Sequence, residues 1–217
     1  MVPENAYLAD VGSDHALLPI SLVEKGKIEW AEAIENKMGP FLRMQDSINK
    51  AGLSNHISSM LADGIAKLND GVDTVVIAGI GGMLACDILE SHPENLGQIK
   101  TIILDPHRDL ITVRQRISSL GYHIVDEELV YEDKIYYSIL KFEKGDAPVM
   151  DSYDLTFGPI IRQKKGKVYA QYLLEQKAKL NILLNKGLPQ KQRDHYLELY
   201  RMVRDELKGL DAQSDSK

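Results

Sequence analysis

LADVGSDH, residues 8–15 of the 217-residue chain, has the form of a short apolar strand running into a loop. The loop stands where a dinucleotide-binding turn would carry Gly-x-x-Gly, yet only Gly12 is a glycine, and Ser13, Asp14 and His15 fill the other places. In open α/β sheets, ligands bind beyond the carboxyl ends of the strands, so the residues of such a loop face the ligand. Gly12 permits close backbone approach, and Asp10 is placed to face a cationic or hydroxyl-bearing group. The two carboxylates Asp10 and Asp14 would repel a pyrophosphate. They suit a positively charged ligand instead.

Outward from this stretch, short apolar runs alternate with helical patterns. AYLADV (6–11), WAEAIE (30–35), HISSML (56–61), DTVVIAG (73–79) and IKTIILDP (99–106) read as strands. LLPISLVEKG (17–26) reads as a helix closed by Gly26, and GPFLRMQDSINKAG (39–52) as one with Pro40 in its first turn and Gly52 at its end. Further helices are expected near 82–90 and 109–119. This alternation implies right-handed crossovers and a mostly parallel sheet covered on both faces, which suits the continuous runs TVVIAG and TIIL. After Gly121 come HIVDEELVYED and IYYSILKF, with a short turn and no helix between them, and therefore an antiparallel pair. A parallel sheet ended by an antiparallel strand is the methyltransferase variant of the Rossmann-like fold.

Past EKGDAPVMDSYDLTFGP (143–159) the composition becomes loop-like. Beyond it, Tyr169, Tyr172, Leu173, Leu180, Leu183 and Leu184 make one apolar stripe, and Tyr196, Leu199, Tyr200, Val203, Leu207 and Leu210 make another. NKGLPQ (185–190) separates them, so residues 151–217 are expected to form a C-terminal α-helical hairpin with a polar, disordered end, DAQSDSK, behind a cofactor-binding domain at 1–150. The hairpin could pack on itself, hold RNA or dimerise the chain.

Hydrophobic content of 44% and charged content of 27% are those of a soluble globular chain, and no apolar run of about 18 residues is long enough for a bilayer. With no basic-then-apolar leader and one cysteine, the cytoplasm is the expected compartment. Cys86 lies in the apolar helical pattern GGMLACDILE and is expected to be core. Residues 1–150 carry 13 basic and 23 acidic residues, and residues 151–217 carry 13 and 9. An acidic body with a basic end offers one region to nucleic acid. The histidines at 56, 92, 107, 123 and 195 are scattered without ligand spacing, so no metal is expected.

Three strand ends carry the candidate cofactor contacts. Glu35 ends the second strand, where an acidic group hydrogen-bonds ribose hydroxyls. Asp63 and Gly64, in LADG (61–64), follow the third, with Asp63 placed to accept from an adenine amine. Ala78 and Gly79 lie in VIAGIGG at the end of the fourth, whose glycines leave bare backbone. Acidic groups in this order indicate an adenosine-type cofactor without diphosphate, S-adenosylmethionine. The rival reading, a nicotinamide-dependent oxidoreductase, needs Gly-x-Gly-x-x-Gly, and the nearest match, Gly79-x-Gly81, has Leu84 at the third position and follows the wrong strand. A second rival is a non-catalytic RNA-binding relative.

ADVGSDHALLPI, AIENKMGP, LADG and VIAGIGG, in this order, resemble the bacterial tRNA (adenine-22-N1)-methyltransferase family, TrmK, over nearly the whole chain. The resemblance implies a class I methyltransferase that moves a methyl group from S-adenosylmethionine to N1 of an adenine in tRNA. It also implies cofactor roles for Asp10, Gly12, Ser13, Glu35, Asp63, Gly64, Ala78 and Gly79. Three features depart from the family: Leu17 stands where Tyr is common, LDPHRDL where the loop is usually closer to QPN, and the first strand begins without the basic helix most members carry ahead of it.

Methyl transfer from a sulfonium is an in-line displacement in which the protein mainly aligns nucleophile, carbon and sulfur. An acceptor for the N6 hydrogens of adenine helps, and Asp14, His15 or the backbone carbonyls of AGIGG are candidates. The base must be unpaired and turned out, which phosphate contacts offset. The candidate RNA contacts are Arg108 near the pocket and, with Arg201, the hairpin residues Lys164, Lys165, Lys167, Lys191 and Arg193.

Overall fold

The computed structural model describes residues 1–214, with side chains to Leu210. The chain runs β1 (Leu8–Val11), α1 (Leu17–Glu24), β2 (Ala31–Glu35), α2 (Met38–Lys50), β3 (Ile57–Leu61), β4 (Thr74–Ile80), α3 (Gly82–Glu90), β5 (Thr101–Pro106), α4 (Leu110–Ser119), β6 (Tyr122–Glu132) and β7 (Ile135–Lys144). The seven strands form one sheet in the order β3-β2-β1-β4-β5-β7-β6. β1 to β5 are parallel, and β7 enters antiparallel beside β5. The order reverses between β1 and β4, and the crevice that opens at such a reversal is the usual ligand site of this architecture.

Alternation along each strand explains why both sheet faces need cover. Val75, Ile77, Ile102 and Leu104 pack with Ala85 and Leu89 of α3 and Val113 and Ile117 of α4. Their neighbours Val76 and Ile103 pack on the other face, with Met44 and Ile48 of α2. Side chains on successive strand residues point to opposite faces, so runs such as TVVI are apolar throughout. Cys86 is fully buried in the α3 layer, where burial pushes its thiol up to about 11. Glu32 is also fully buried, at the opposite sheet end from the loop after β1. Its Oε1 accepts from the Tyr7 hydroxyl at 3.4 Å and the Asn69 amide at 3.1 Å.

The β6–β7 turn is Asp133-Lys134, both at positive φ (47° and 65°), the backbone of a type I′ turn whose twist matches a hairpin. Arg114 of α4 and Glu127 of β6 form an ion pair at 3.0 Å with side chains only 1% and 0% exposed.

The chain separates into two compact units: residues 1–128 with 137–149, and residues 129–136 with 150 onward. Asp151 caps α5 (Ser152–Phe157) through the Asp154 amide at 2.7 Å, and Gly158 (φ 94°) separates it from Pro159 at the start of α6 (Pro159–Lys164). Six-residue helices carry too little periodicity to stand out from a loop. α7 (Lys167–Leu184) and α8 (Gln190–Ser214) follow as an antiparallel pair. Tyr169 near the start of α7 donates to Glu206 near the end of α8 at 2.9 Å, and Arg162 donates to the same carboxylate at 2.9 Å. α8 continues through Ser214 into the segment expected to be disordered, and the remainder of that segment, 215–217, lies outside the described residues. No helix among the described residues is long and apolar enough to cross a membrane.

Candidate active site

The carboxyl ends of β1, β2 and β3 enclose a cavity of 290 Å³ lined by Val11, Gly12, Glu35, Asp63, Gly64 and Leu84, among others. That volume lies at the lower edge of ligand pockets, about 300–1,000 Å³, and suits one nucleoside better than a dinucleotide. Ile80 of β4 and Ile88 of α3 complete the wall.

β1 carries Asp10, a nearly buried carboxylate, 6% exposed, one residue ahead of the lining residue Val11. Ser13 donates to its Oδ2 at 2.5 Å. Burial pushes its carboxyl up to about 6, the Ser13 hydrogen bond opposes this, and the nearby Glu35 charge adds to it. A buried carboxylate beside a second acidic group favours a cation over an anion. Glu35 is buried at the end of β2 and accepts from the Asp14 amide at 2.8 Å. This bond ties the loop after β1 to β2. Within that loop Asp14 (φ 44°) and Ala16 (φ 53°) hold left-handed backbone on either side of His15. Such strain costs about 1–3 kcal/mol per residue and persists only where surrounding bonds fix it.

The Asp14 side chain, 52% exposed, is held by Arg43 of α2 at 2.8 Å and lies 3.8 Å from His15 Nε2. The two candidates for the transfer step thus share a rim outside the cavity lining, and the guanidinium neutralises one of them. Gly64 has φ 53°, and a Cβ there would meet Ile88 Cγ2 at 2.6 Å, so this cavity wall requires glycine. Ala78 and Gly79 are exposed at the end of β4, next to Ile80, and do not themselves line the cavity.

Arg108 is 79% exposed on the loop after β5, with Nε 3.5 Å from Asp109. Lys164, Lys165, Lys167, Lys191 and Arg193 belong to the second unit. Lys165 Nζ donates to the Gly209 carbonyl at 3.0 Å, and Arg193 to the Leu184 carbonyl at 3.4 Å. Lys167 and Lys191 are exposed. Among the described residues, no group of three His, Cys, Asp or Glu side chains could hold a metal ion.

The profile of the tRNA (adenine(22)-N(1))-methyltransferase family matches residues 8–207. The chain belongs to this family, TrmK. The tRNA (adenine(22)-N(1))-methyltransferase of Bacillus subtilis is 34% identical over 176 residues, which are 77% of this chain and 73% of the relative. A Streptococcus pneumoniae protein described as a tRNA (m1A22) methyltransferase superposes with a TM-score of 0.91 at 32% identity, covering 95% of each chain. Its complex with S-adenosyl-L-methionine superposes at 0.87 over 94% of each chain. Mycoplasma capricolum TrmK bound to S-adenosylhomocysteine superposes at 0.84 and 25% identity, over 95% of this chain and 93% of that one.

For this TrmK-family chain, sequence reasoning missed Arg43, Ile80 and Ile88, and it treated Leu84 only as a missing glycine. Arg43 lies 29 residues from Asp14, and no spacing rule joins them. Ile80, Leu84 and Ile88 look like ordinary core positions of a strand and a helix.

Proposed function

We propose that this chain transfers a methyl group from S-adenosylmethionine to N1 of adenine 22 in tRNA. The observation that carries the reading is the buried Asp10 carboxylate beside Glu35, which lines a nucleoside-sized cavity where the strand order reverses. When bound, S-adenosylmethionine supplies a methyl group already activated on a sulfonium.

The chain's own residues then bind, orient and exclude water. Asp10, steadied by Ser13, balances the positive methionyl end. Glu35 accepts from ribose hydroxyls while its other bond holds the Asp14 amide. Asp63 accepts from the adenine amine of the cofactor, and Gly12, Gly64, Ala78 and Gly79 let backbone approach the ligand. Asp14 and His15 stand at the rim as groups for the target base, with Arg43 fixing the orientation of Asp14. Residues 1–150 form the catalytic domain and 151–217 the RNA-gripping hairpin, through Lys164, Lys165, Lys167, Lys191 and Arg193, with Arg108 closer to the pocket. A cytoplasmic location follows from a tRNA substrate.

The test is incorporation of labelled methyl from S-adenosylmethionine into unmodified tRNA transcripts bearing adenine or guanine at position 22. Incorporation into the adenine transcript alone is expected. Cofactor binding without transfer would favour the non-catalytic relative, and no cofactor binding would overturn the assignment of Asp10, Glu35 and Asp63.

A further inference from the structure

β5 ends in Asp105-Pro106, and Asp105 lies opposite Ala78 in the β4–β5 register. Asp10 is one row below on the same face, because Asp10 pairs with Val76 and Val76 with Ile103. Ala78 and Gly79 are exposed, and the register breaks between Ala78 and Ile80, beside Asp105. The loop beyond is anchored by the His107 amide donating to the Ile80 carbonyl at 3.0 Å, and a Cβ on Gly79 would lie 3.9 Å from His107 Nε2. Asp105 Oδ1 is shielded from solvent and has no hydrogen-bond partner among the described residues. Burial raises the carboxyl, and His107 opposes the rise. A shielded carboxylate oxygen without a donor is costly, and natural structures keep few of them. At the carboxyl end of a strand, beside the exposed backbone of Ala78 and Gly79, the missing donor fits a ligand.

Resting on the methyltransferase reading above, we propose that Asp105 accepts a hydrogen bond from the exocyclic N6 amine of the target adenine, and so selects adenine and balances the charge that methylation places on the base. As the N1 lone pair forms the nitrogen–carbon bond, the carbon–sulfur bond breaks and its electron pair stays on sulfur. The positive charge therefore leaves the sulfonium and arrives on the adenine ring, while both N6 protons stay in place. A carboxylate hydrogen-bonded to N6 gains attraction as that charge develops, so it is worth more in the transition state than in the ground state. Guanine presents an oxygen at the same position, which the carboxylate repels.

The test compares wild type with Asp105→Asn and Asp105→Ser in single-turnover transfer at saturating S-adenosylmethionine. The transcripts carry adenine, or purine lacking the 6-amine, at position 22. Calorimetric binding of S-adenosylhomocysteine checks folding and the cofactor site. Both variants are expected to slow transfer to adenine by about 10²-fold, the effect of removing one preorganised transition-state contact, with cofactor affinity within about twofold of wild type. Wild type is expected to lose a comparable factor on the purine transcript. Wild-type transfer to purine as fast as to adenine, or variant transfer to adenine within about threefold of wild type, would overturn the role of Asp105 alone. Absence of wild-type transfer to adenine would overturn the methyltransferase reading as well.

Discussion

Asp10→Asn should make the ligand-free protein more stable at neutral pH while weakening its cofactor affinity. The wild-type carboxyl sits at about 6 in the folded chain, against an ordinary 3.8, because burial disfavours its charged form. With the folded value raised, the penalty is absent below pH 3.8, grows as pH rises to 6, and is constant above that. The gap corresponds to about 3 kcal/mol at about 1.4 kcal/mol per pH unit. The asparagine oxygen can still accept from Ser13, whereas its amide nitrogen gains no acceptor and takes back about 1–2 kcal/mol. A net gain of about 1–2 kcal/mol remains, which raises the melting temperature by about 2–8 °C for a domain of this size. The gain should appear at pH 7.5 and vanish near pH 4.

S-adenosylhomocysteine should bind the variant about 10- to 100-fold more weakly, since charge-assisted hydrogen bonds contribute about 1.5–3 kcal/mol. In wild type, a bound ammonium favours the carboxylate, so affinity should fall below pH 6, approaching about tenfold per pH unit. The assays are thermal melts at the two pH values and calorimetry across pH 5–7.5. A variant whose stability change is the same at both pH values, or whose cofactor affinity equals wild type, would refute the reasoning.

Gly64→Ala places a Cβ 2.6 Å from Ile88 Cγ2 at φ 53°. It should cost about 1–3 kcal/mol in urea melts and weaken S-adenosylhomocysteine binding, because Ile88 must shift into the cavity it lines. Glu127→Ala leaves the Arg114 guanidinium, 1% exposed, without this carboxylate and should cost about 3–5 kcal/mol of stability. Transcript binding should weaken steeply with salt, and Lys167→Ala with Lys191→Ala should lower the slope of log K against log salt by about one per residue in a filter-binding series.

The alternation of apolar strands with helical stripes, the turn to antiparallel pairing after Gly121 and the acidic residues at three strand ends are local patterns, and they were legible in order along the chain. Glu35 was legible as the end of its strand, and the structure places it in the cavity lining. α5 and α6 were not legible, since their formation depends on caps and packing more than on period.

The sequence by itself determined the fold class, the family blocks and an acidic loop unfit for a diphosphate, because strand and turn propensities and charge type are properties of neighbouring residues. Only the tertiary structure decided the electrostatic state of that loop. Burial raises Asp10, β2 brings Glu35 to the Asp14 amide, and α2 brings Arg43 onto its carboxylate. β7 inserts between β5 and β6, and Asp105 Oδ1 at the end of β5 meets no donor among the described residues. These depend on which segments meet across long stretches of chain, where desolvation and hydrogen bonding are set by neighbours in space.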